Sequence, residues 1–429
     1  MTNSTGPKGP TRRVNARIPG LFKHSVEERA RIVAESADVS DRARAFFARG
    51  GGIDVTSADA MSENVVATFG LPFSVATNFA INQRDYLVPM AVEEPSVVAA
   101  ASNAARMVRE SGGFFADADA SIMTAQVQLD DVPDAASVVA KLEGARDALF
   151  DAGDRSIPKM VERGFGCRDL AVRVLSVEHG VVVVDLFVDV GDAMGANCVD
   201  TVAEAVAPVV QSLIGGRIGL RILSNLPLRR RVRAFCRVDA SAIGGAEIAD
   251  GIARASRFAE LDMFRAVTHN KGFMNGVDAA AVALGQDWRS IEAGAHAFCA
   301  LDGGYKPLST WKRTEQGLEG RCDLPLAVGS VGGSTSANDA IRTAFELVRV
   351  ESARELAGVL ACVGLASNLA ALRALASEGI QKGHMKLHHR KTEAADQRRR
   401  EEVRSEPPRS EPPAAEEATA VASARTVTR

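Results

Sequence analysis

Between residues 125 and 223 the hydrophobic pattern changes period in one fixed order, strand, helix, strand, strand, helix, strand, and this narrows the possible topologies more than any other feature. Ala125-Gln126-Val127-Gln128-Leu129 alternates with period two, residues 136–152 carry a helical pattern, and 170–177 and 181–190 are rich in valine and leucine. After a turn at 192–197 comes a helix over 199–213, and a strand over 217–223 closes the set. Such an order is the split βαβ signature, so a compact ferredoxin-like domain is expected at 120–228. Residues 16–119 and 229–378 then form a larger, helix-rich domain that is discontinuous in sequence, and the fold class is α+β. In that larger part, 25–48 has a helical pattern, and a second helix is expected over 58–68, ended by Gly70 and Pro72.

Composition excludes several classes of function. The 429 residues are 46% hydrophobic and 24% charged, with a net charge of -3, which is ordinary for a globular chain. A nucleic-acid binder needs a clear cationic excess on one face. The one candidate patch, Arg229-Arg230-Arg231-Val232-Arg233, alternates into Ala234, Cys236 and Val238, as a strand with one solvated or anion-facing side does. Six cysteines at 167, 198, 236, 299, 322 and 362 form no C-x-x-C pair, so neither a metal site nor a disulfide framework is indicated. Residues 1–15 are polar and read as a flexible arm without an export signal, which suggests a cytoplasmic protein. Residues 356–375 are the most apolar helical stretch, but alanine, glycine, Ser367, Asn368 and Arg373 point to a packed core helix, not a membrane span.

The chemistry concentrates in Thr268-His269-Asn270-Lys271-Gly272-Phe273-Met274-Asn275-Gly276, followed by Gln286-Asp287-Trp288-Arg289. Read alone, this is a glycine-bounded turn offering one lysine and two amides, with an aspartate one short helix later. The bland alternative is a surface lysine and an aspartate that caps a helix. Glu94 precedes Pro95, which suits the first turn of a helix running on through Ser96 to Val108, so the helix dipole favours an ionised Glu94. Residues 192–197 join a strand to a helix whose first amides suit a pyrophosphate, without the G-x-G-x-x-G of a Rossmann domain.

Several separated segments occur together in order: Glu63-Asn64-Val65-Val66 with Pro72, Val92-Glu93-Glu94-Pro95-Ser96, Asp192-Ala193-Met194-Gly195-Ala196-Asn197, Arg265 through Gly276, Gln286-Asp287-Trp288, Val328-Gly329-Ser330-Val331-Gly332-Gly333, and Gly383-His384-Met385. From about residue 17 to 389 the chain resembles the class II, soluble bacterial and archaeal form of 3-hydroxy-3-methylglutaryl-coenzyme A reductase. The resemblance implies reduction of that thioester to mevalonate and coenzyme A by two hydride transfers, in either direction. It assigns catalysis to Glu94, Lys271, Asp287 and His384, with Ser96, Arg265 and Asn275 on the substrate. Arg265 suits a carboxylate through its planar fork. Asp192, Ala193, Met194, Gly195, Asn197, Gly329, Gly332 and Gly333 would meet the nicotinamide cofactor.

The same resemblance implies a homodimer or an assembly of dimers, with the Glu-Asn-Val segment at the interface, and neither membrane nor nucleic acid as partner. Coenzyme A phosphate binding at the arginine run stays open. Where an NAD-specific relative carries an aspartate, this chain has Ile157 with Arg155 and Lys159 nearby, which points to NADP(H) over NAD(H). Relatives place a helical flap at the carboxy terminus. Here residues 386–429 hold only Leu387, Val403, Val421 and Val427 as large aliphatics and repeat Arg-Ser-Glu-Pro-Pro, so residues 379–429 should carry His384 and then a disordered tail. The alternative is therefore a folded coenzyme A and dinucleotide binder with weak or no turnover.

Overall fold

The computed structural model describes residues 14–332, 335 and 338–377. Most of the expected amino-terminal arm, together with Gly333, His384 and the expected tail, lies outside the described residues.

The larger sheet has the order β2-β1-β3-β8-β10-β9. Its strands are β1 (Phe73–Ile81), β2 (Arg84–Ala91), β3 (Phe114–Ala118), β8 (Arg231–Asp239), β9 (Ser309–Arg313) and β10 (Gly317–Pro325). Asn82 and Gln83 both take positive φ, 48° and 64°, so the β1–β2 hairpin closes through a two-residue turn whose twist matches the strands. Ala118 at the end of β3 pairs with Val232 near the start of β8, so the chain between them leaves and returns at one place. That stretch builds the second sheet from β4 (Ile122–Asp130), β5 (Gly166–Ser176), β6 (Val181–Asp189) and β7 (Arg217–Ser224). The order is β5-β6-β4-β7, with every pair antiparallel.

Helices α1 (Val26–Ala37), α2 (Asp41–Ala48), α3 (Val55–Asp59) and α4 (Val97–Glu110) precede the second sheet. Within it fall α5 (Val138–Gly144), α6 (Arg146–Ser156), α7 (Pro158–Val161) and α8 (Ala196–Ile214). After it come α9 (Ala240–Ile243), α10 (Ala246–Leu261), α11 (Met263–Ala283), α12 (Trp288–Cys299), α13 (Asp339–Val348) and α14 (Ala353–Ala376). Each sheet has its own apolar core: one around Phe79, Phe114, Phe273 and α14, the other around Met123, Leu142, Leu186 and Val206. Helix α14 is long and apolar enough to cross a membrane, but its apolar stretch is 67% buried and packs on α4, α10, α11 and the larger sheet. It is a core helix.

Four local expectations need correction. Residues 25–48 form two helices, because Asp38 turns left-handed at φ 49° and Ser40 then caps α2. The helix expected at 58–68 is only the short α3, and Asn64 at φ 57° interrupts any helical path beyond it. The helix expected at 136–152 breaks at Ala145, just after Gly144. Residues 268–276 are not a turn but the middle of α11. Gly276 serves close helix packing: a Cβ there would stand 2.8 Å from the Val363 carbonyl oxygen and 2.9 Å from Ser367 Cβ, both on α14.

Candidate active site

Helix α11 begins at Asp262, whose side chain accepts from the Arg265 amide at 2.7 Å. One face of the helix is buried through Ala266, His269, Asn270, Phe273, Met274 and Val277. Lys271 and Asn275, four residues apart, share a neighbouring face that reaches solvent. Lys271 Nζ donates to Glu94 Oε2 at 2.9 Å, joining residues 177 apart in sequence. With the two side chains 60% and 38% exposed, such a pair adds only about 0–1 kcal/mol to stability. The pair does little to hold the fold together, and it sets a carboxylate and a cation side by side where solvent reaches both.

The turn from β2 into α4 sets the position of Glu94. Ser96 ends that turn at φ 79°, left-handed for a residue with a Cβ, a conformation that costs on the order of 1–3 kcal/mol and is enriched at functional sites. Pro95 therefore sits ahead of the helix cap, not in the first helical turn as its sequence position suggests. The Ser96 hydroxyl makes no capping bond, although its carbonyl accepts from Ala100 at 2.7 Å. Among the described residues the Arg265 guanidinium likewise has no acceptor, and partial burial lowers its pKa from the ordinary arginine value. Burial, with the Arg265 charge acting the same way, brings the pKa of His269 down to about 4. The neutral His269 ring bonds Ser309 through Nε2, at 3.0 Å to the carbonyl and 2.9 Å to the hydroxyl.

Asp287 caps α12 by accepting from the Ser290 amide at 3.2 Å, the bland role the sequence offered. Lys271 pairs with Glu94 and not with Asp287 within this chain. Beside it, buried Gln286 holds both backbone groups of Gly329: its Oε1 accepts from the Gly329 amide at 2.8 Å and its Nε2 donates to the carbonyl at 3.1 Å. Gln286 thus fastens the start of α12 to the glycine loop.

That loop packs on residues 192–197. Val331 forms a parallel bridge with Ala193, and the Asp192 carbonyl accepts from the Ser330 amide at 2.9 Å. Asp192 Oδ1 accepts from the Ala353 amide at 2.8 Å, tying the turn to α14. Arg230 lies beneath both loops, 5% exposed, donating to the carbonyls of Met194 (2.8 Å), Ala193 (3.1 Å) and Val328. Burial lowers its pKa to about 10, against the opposing influence of Asp189 and Asp192. A Cβ on Gly329 would meet the Met194 amide at 2.6 Å, so this glycine serves loop against loop. Gly332, at φ 123° with nothing near its missing Cβ, is open. Gly195 precedes α8 at φ 103°, and no side chain caps the helix, leaving the amides of Ala196, Asn197 and Cys198 without acceptors among the described residues. These open amides fit a pyrophosphate.

Neither Arg230 nor Gln286 stood out in the sequence as a site residue, yet one signal was available. Arg230 has the parity of Val232, Ala234, Cys236 and Val238, all of which point inward. The arginine run is not a free anion patch. Arg229 stacks on Phe187 at 3.5 Å and pairs with Asp169 at 2.7 Å, Arg231 pairs with Asp323, and Arg233 pairs with Asp119.

A model of the hydroxymethylglutaryl-coenzyme A reductase family matches residues 25–389. The chain belongs to that family. It is 48% identical to the 3-hydroxy-3-methylglutaryl-coenzyme A reductase of Archaeoglobus fulgidus, over 88% of this chain and 87% of that one. It is 37% identical to a probable reductase of Borreliella burgdorferi, over 76% of each. A class II hydroxymethylglutaryl-coenzyme A reductase structure from Streptococcus pneumoniae, bound to NADPH, superposes with a TM-score of 0.81 at 41% identity. That match covers 84% of this chain and 99% of the other, which places the chain in class II. In this class II reductase framework, Ile157 cannot meet a cofactor phosphate, because it is buried in the core of the smaller sheet. Arg155 and Lys159 on either side are exposed and unpaired among the described residues.

Proposed function

We propose that the chain reduces 3-hydroxy-3-methylglutaryl-coenzyme A to mevalonate and coenzyme A, using NADP(H), as a cytoplasmic homodimer or an assembly of dimers. The observation that carries this reading is the Lys271–Glu94 pair, with Ser96 two residues beyond Glu94 and with Arg265 and Asn275 on the same helix as Lys271; among the described residues these three side chains make no hydrogen bond. The nicotinamide, when bound, supplies a hydride twice. Lys271 stabilises the thioester oxygen as it gains charge, and Glu94 protonates it. Asn275 adds a neutral hydrogen bond and Arg265 takes the substrate carboxylate. Asp287 orients Lys271 when the site is complete, and His384 protonates the departing thiolate, whose conjugate acid has a pKa of about 8.5.

The smaller sheet, with its strand order and with α5, α6 and α8 sharing one core with it, supports a ferredoxin-like insert at 120–228 that carries the cofactor. The uncapped start of α8 and open Gly332 would hold the pyrophosphate, while Arg155 and Lys159 would favour a 2′-phosphate over none. The NADPH in the Streptococcus pneumoniae structure agrees with this choice. Dimerisation is supported by the segment after α3, where Val66 and Phe69 are 95% and 93% exposed, and by a cavity of about 1390 Å³ lined by Phe22, Phe46, Phe69 and Leu71. A second copy would cover both.

The test is thioester-dependent oxidation of NADPH, with products quantified. Two NADPH oxidised per mevalonate and per free coenzyme A support the reading. A protein that binds coenzyme A and NADPH tightly yet oxidises nothing would be the binding homologue instead, and a large preference for NADH would overturn the cofactor assignment.

A further inference from the structure

The chain passes from α11 to α12 through Gln286, whose backbone and side chain are committed to different parts of the molecule. The backbone belongs to the end of α11. Gly285 is left-handed at φ 62°, its amide donates to the Val282 carbonyl at 3.1 Å, and the Gln286 amide donates to the Ala281 carbonyl at 2.9 Å. These two bonds form a Schellman ending, in which a glycine just past the helix turns the chain and satisfies the last carbonyls. The next residue, Asp287, already caps α12, and the Gln286 carbonyl accepts from the Trp288 amide at 2.9 Å. The side chain, in a residue 8% exposed, has both donors in use: Nε2 donates to the Leu284 carbonyl at 2.9 Å and to the Gly329 carbonyl at 3.1 Å. Oε1 accepts from the Gly329 amide at 2.8 Å, and because that amide can only donate, the carboxamide has one possible orientation.

Gly329 passes the constraint on. A Cβ there would lie 2.6 Å from the Met194 amide nitrogen, and the neighbouring Ser330 amide donates to the Asp192 carbonyl at 2.9 Å. The turn at 192–197, the glycine loop and the Gln286 carboxamide therefore lie in direct contact, and a close-packed interior transmits a shift of one to the next. We propose that Gln286 is a positioning residue that makes the start of α12 respond to nucleotide binding: a dinucleotide that fixes the turn and the glycine loop also fixes Asp287 and Trp288 through this one carboxamide. This rests on the reductase reading for the nucleotide site and for the role of Asp287. Delivery of two hydrides in turn requires the nucleotide to be exchanged within one reaction. The link through Gln286 would then complete the placement of the Asp287 carboxylate only while a nucleotide is bound.

Trp288 supplies a readout that needs no turnover. It is 40% exposed, whereas the other tryptophan, Trp311, is 1% exposed, so acrylamide quenches chiefly Trp288. In wild type, saturating NADP+ should lower the acrylamide quenching constant by about two-fold, and Trp288→Phe should abolish the response. In Gln286→Leu, saturated with the same nucleotide, the constant should not change. The kinetic constants should move together: Gln286→Leu should raise KM for NADPH about ten-fold and lower kcat about ten-fold to 100-fold, with coenzyme A affinity kept. Gln286→Glu, which retains the acceptor for the Gly329 amide and loses both donors, should fall between. A wild-type Trp288 response surviving in Gln286→Leu, or a change in KM or kcat alone, would overturn the proposal. If neither variant folds, amide hydrogen exchange of wild type decides. NADP+ should slow exchange at Gly329 and, with it, at the Ser290 and Ile291 amides that bond Asp287, and protection of the loop alone overturns the link. Should wild type bind no NADP+, the nucleotide reading falls and this proposal with it. Should it bind NADP+ with the coupled response yet reduce no thioester, the reductase reading falls and the link through Gln286 stands.

Discussion

Lys271 and Arg230 are both cations, and they are treated oppositely. Arg230 is 5% exposed and has three carbonyl acceptors, two from residues 192–197 and one from the loop after β10. Lys271 is 60% exposed, with Glu94 its one partner among the described residues. The first cation is consumed in building a surface, and the second keeps hydrogen-bonding capacity to spare. Structural charge is expected to be saturated by the protein, because an unpaired buried acceptor costs roughly 1–3 kcal/mol. Catalytic charge has to be left incomplete, since only interactions that strengthen in the transition state accelerate a reaction.

Substitutions should separate the two regions by the quantity they change. The largest effect belongs to Glu94→Gln, which keeps the shape and removes the proton. General acid contributions are about 100-fold to 10,000-fold, so kcat should fall within that range while the unfolding midpoint stays put. A large loss of stability with little loss of rate would reverse the comparison. Arg230→Ala should do the opposite. It strands the carbonyls of Ala193, Met194 and Val328, costing about 3 kcal/mol or more in urea unfolding and raising KM for the nicotinamide nucleotide. Affinity for coenzyme A should survive. The smallest effect is expected at Arg155→Ala with Lys159→Ala, two exposed cations flanking Ile157. Their joint loss should weaken NADPH by about five-fold, in keeping with roughly 1 kcal/mol for exposed charges, and leave NADH unchanged. Equal weakening of both nucleotides would remove them from the 2′-phosphate.

What the sequence made legible divides along similar lines. The strands and helices between 122 and 224 announce themselves through local periodicity, and so does buried α14. Inward-facing Arg230 could have been read from its parity with Val232. Gly276 misled, because a glycine that admits a neighbouring helix looks the same in sequence as one that turns the chain. Only the three-dimensional neighbour, the Val363 carbonyl 2.8 Å from a notional Cβ, tells them apart. Residues 60–72 misled for a related reason. Val66 and Phe69 suggest a packed helix, yet they stand 95% and 93% exposed among the described residues. Glu94 and Lys271 are 177 residues apart, and no local pattern joins them. Family resemblance marked both, and the fold then brought them within 2.9 Å.

The central claim, that the exposed ammonium of Lys271 stabilises a reacting carbonyl oxygen, is tested most directly by the single-turnover rate of thioester-dependent NADPH oxidation for wild type and Lys271→Ala. The rate should fall about 100-fold to 1000-fold, with coenzyme A binding and the unfolding midpoint unchanged. Equal rates in two folded proteins would contradict it.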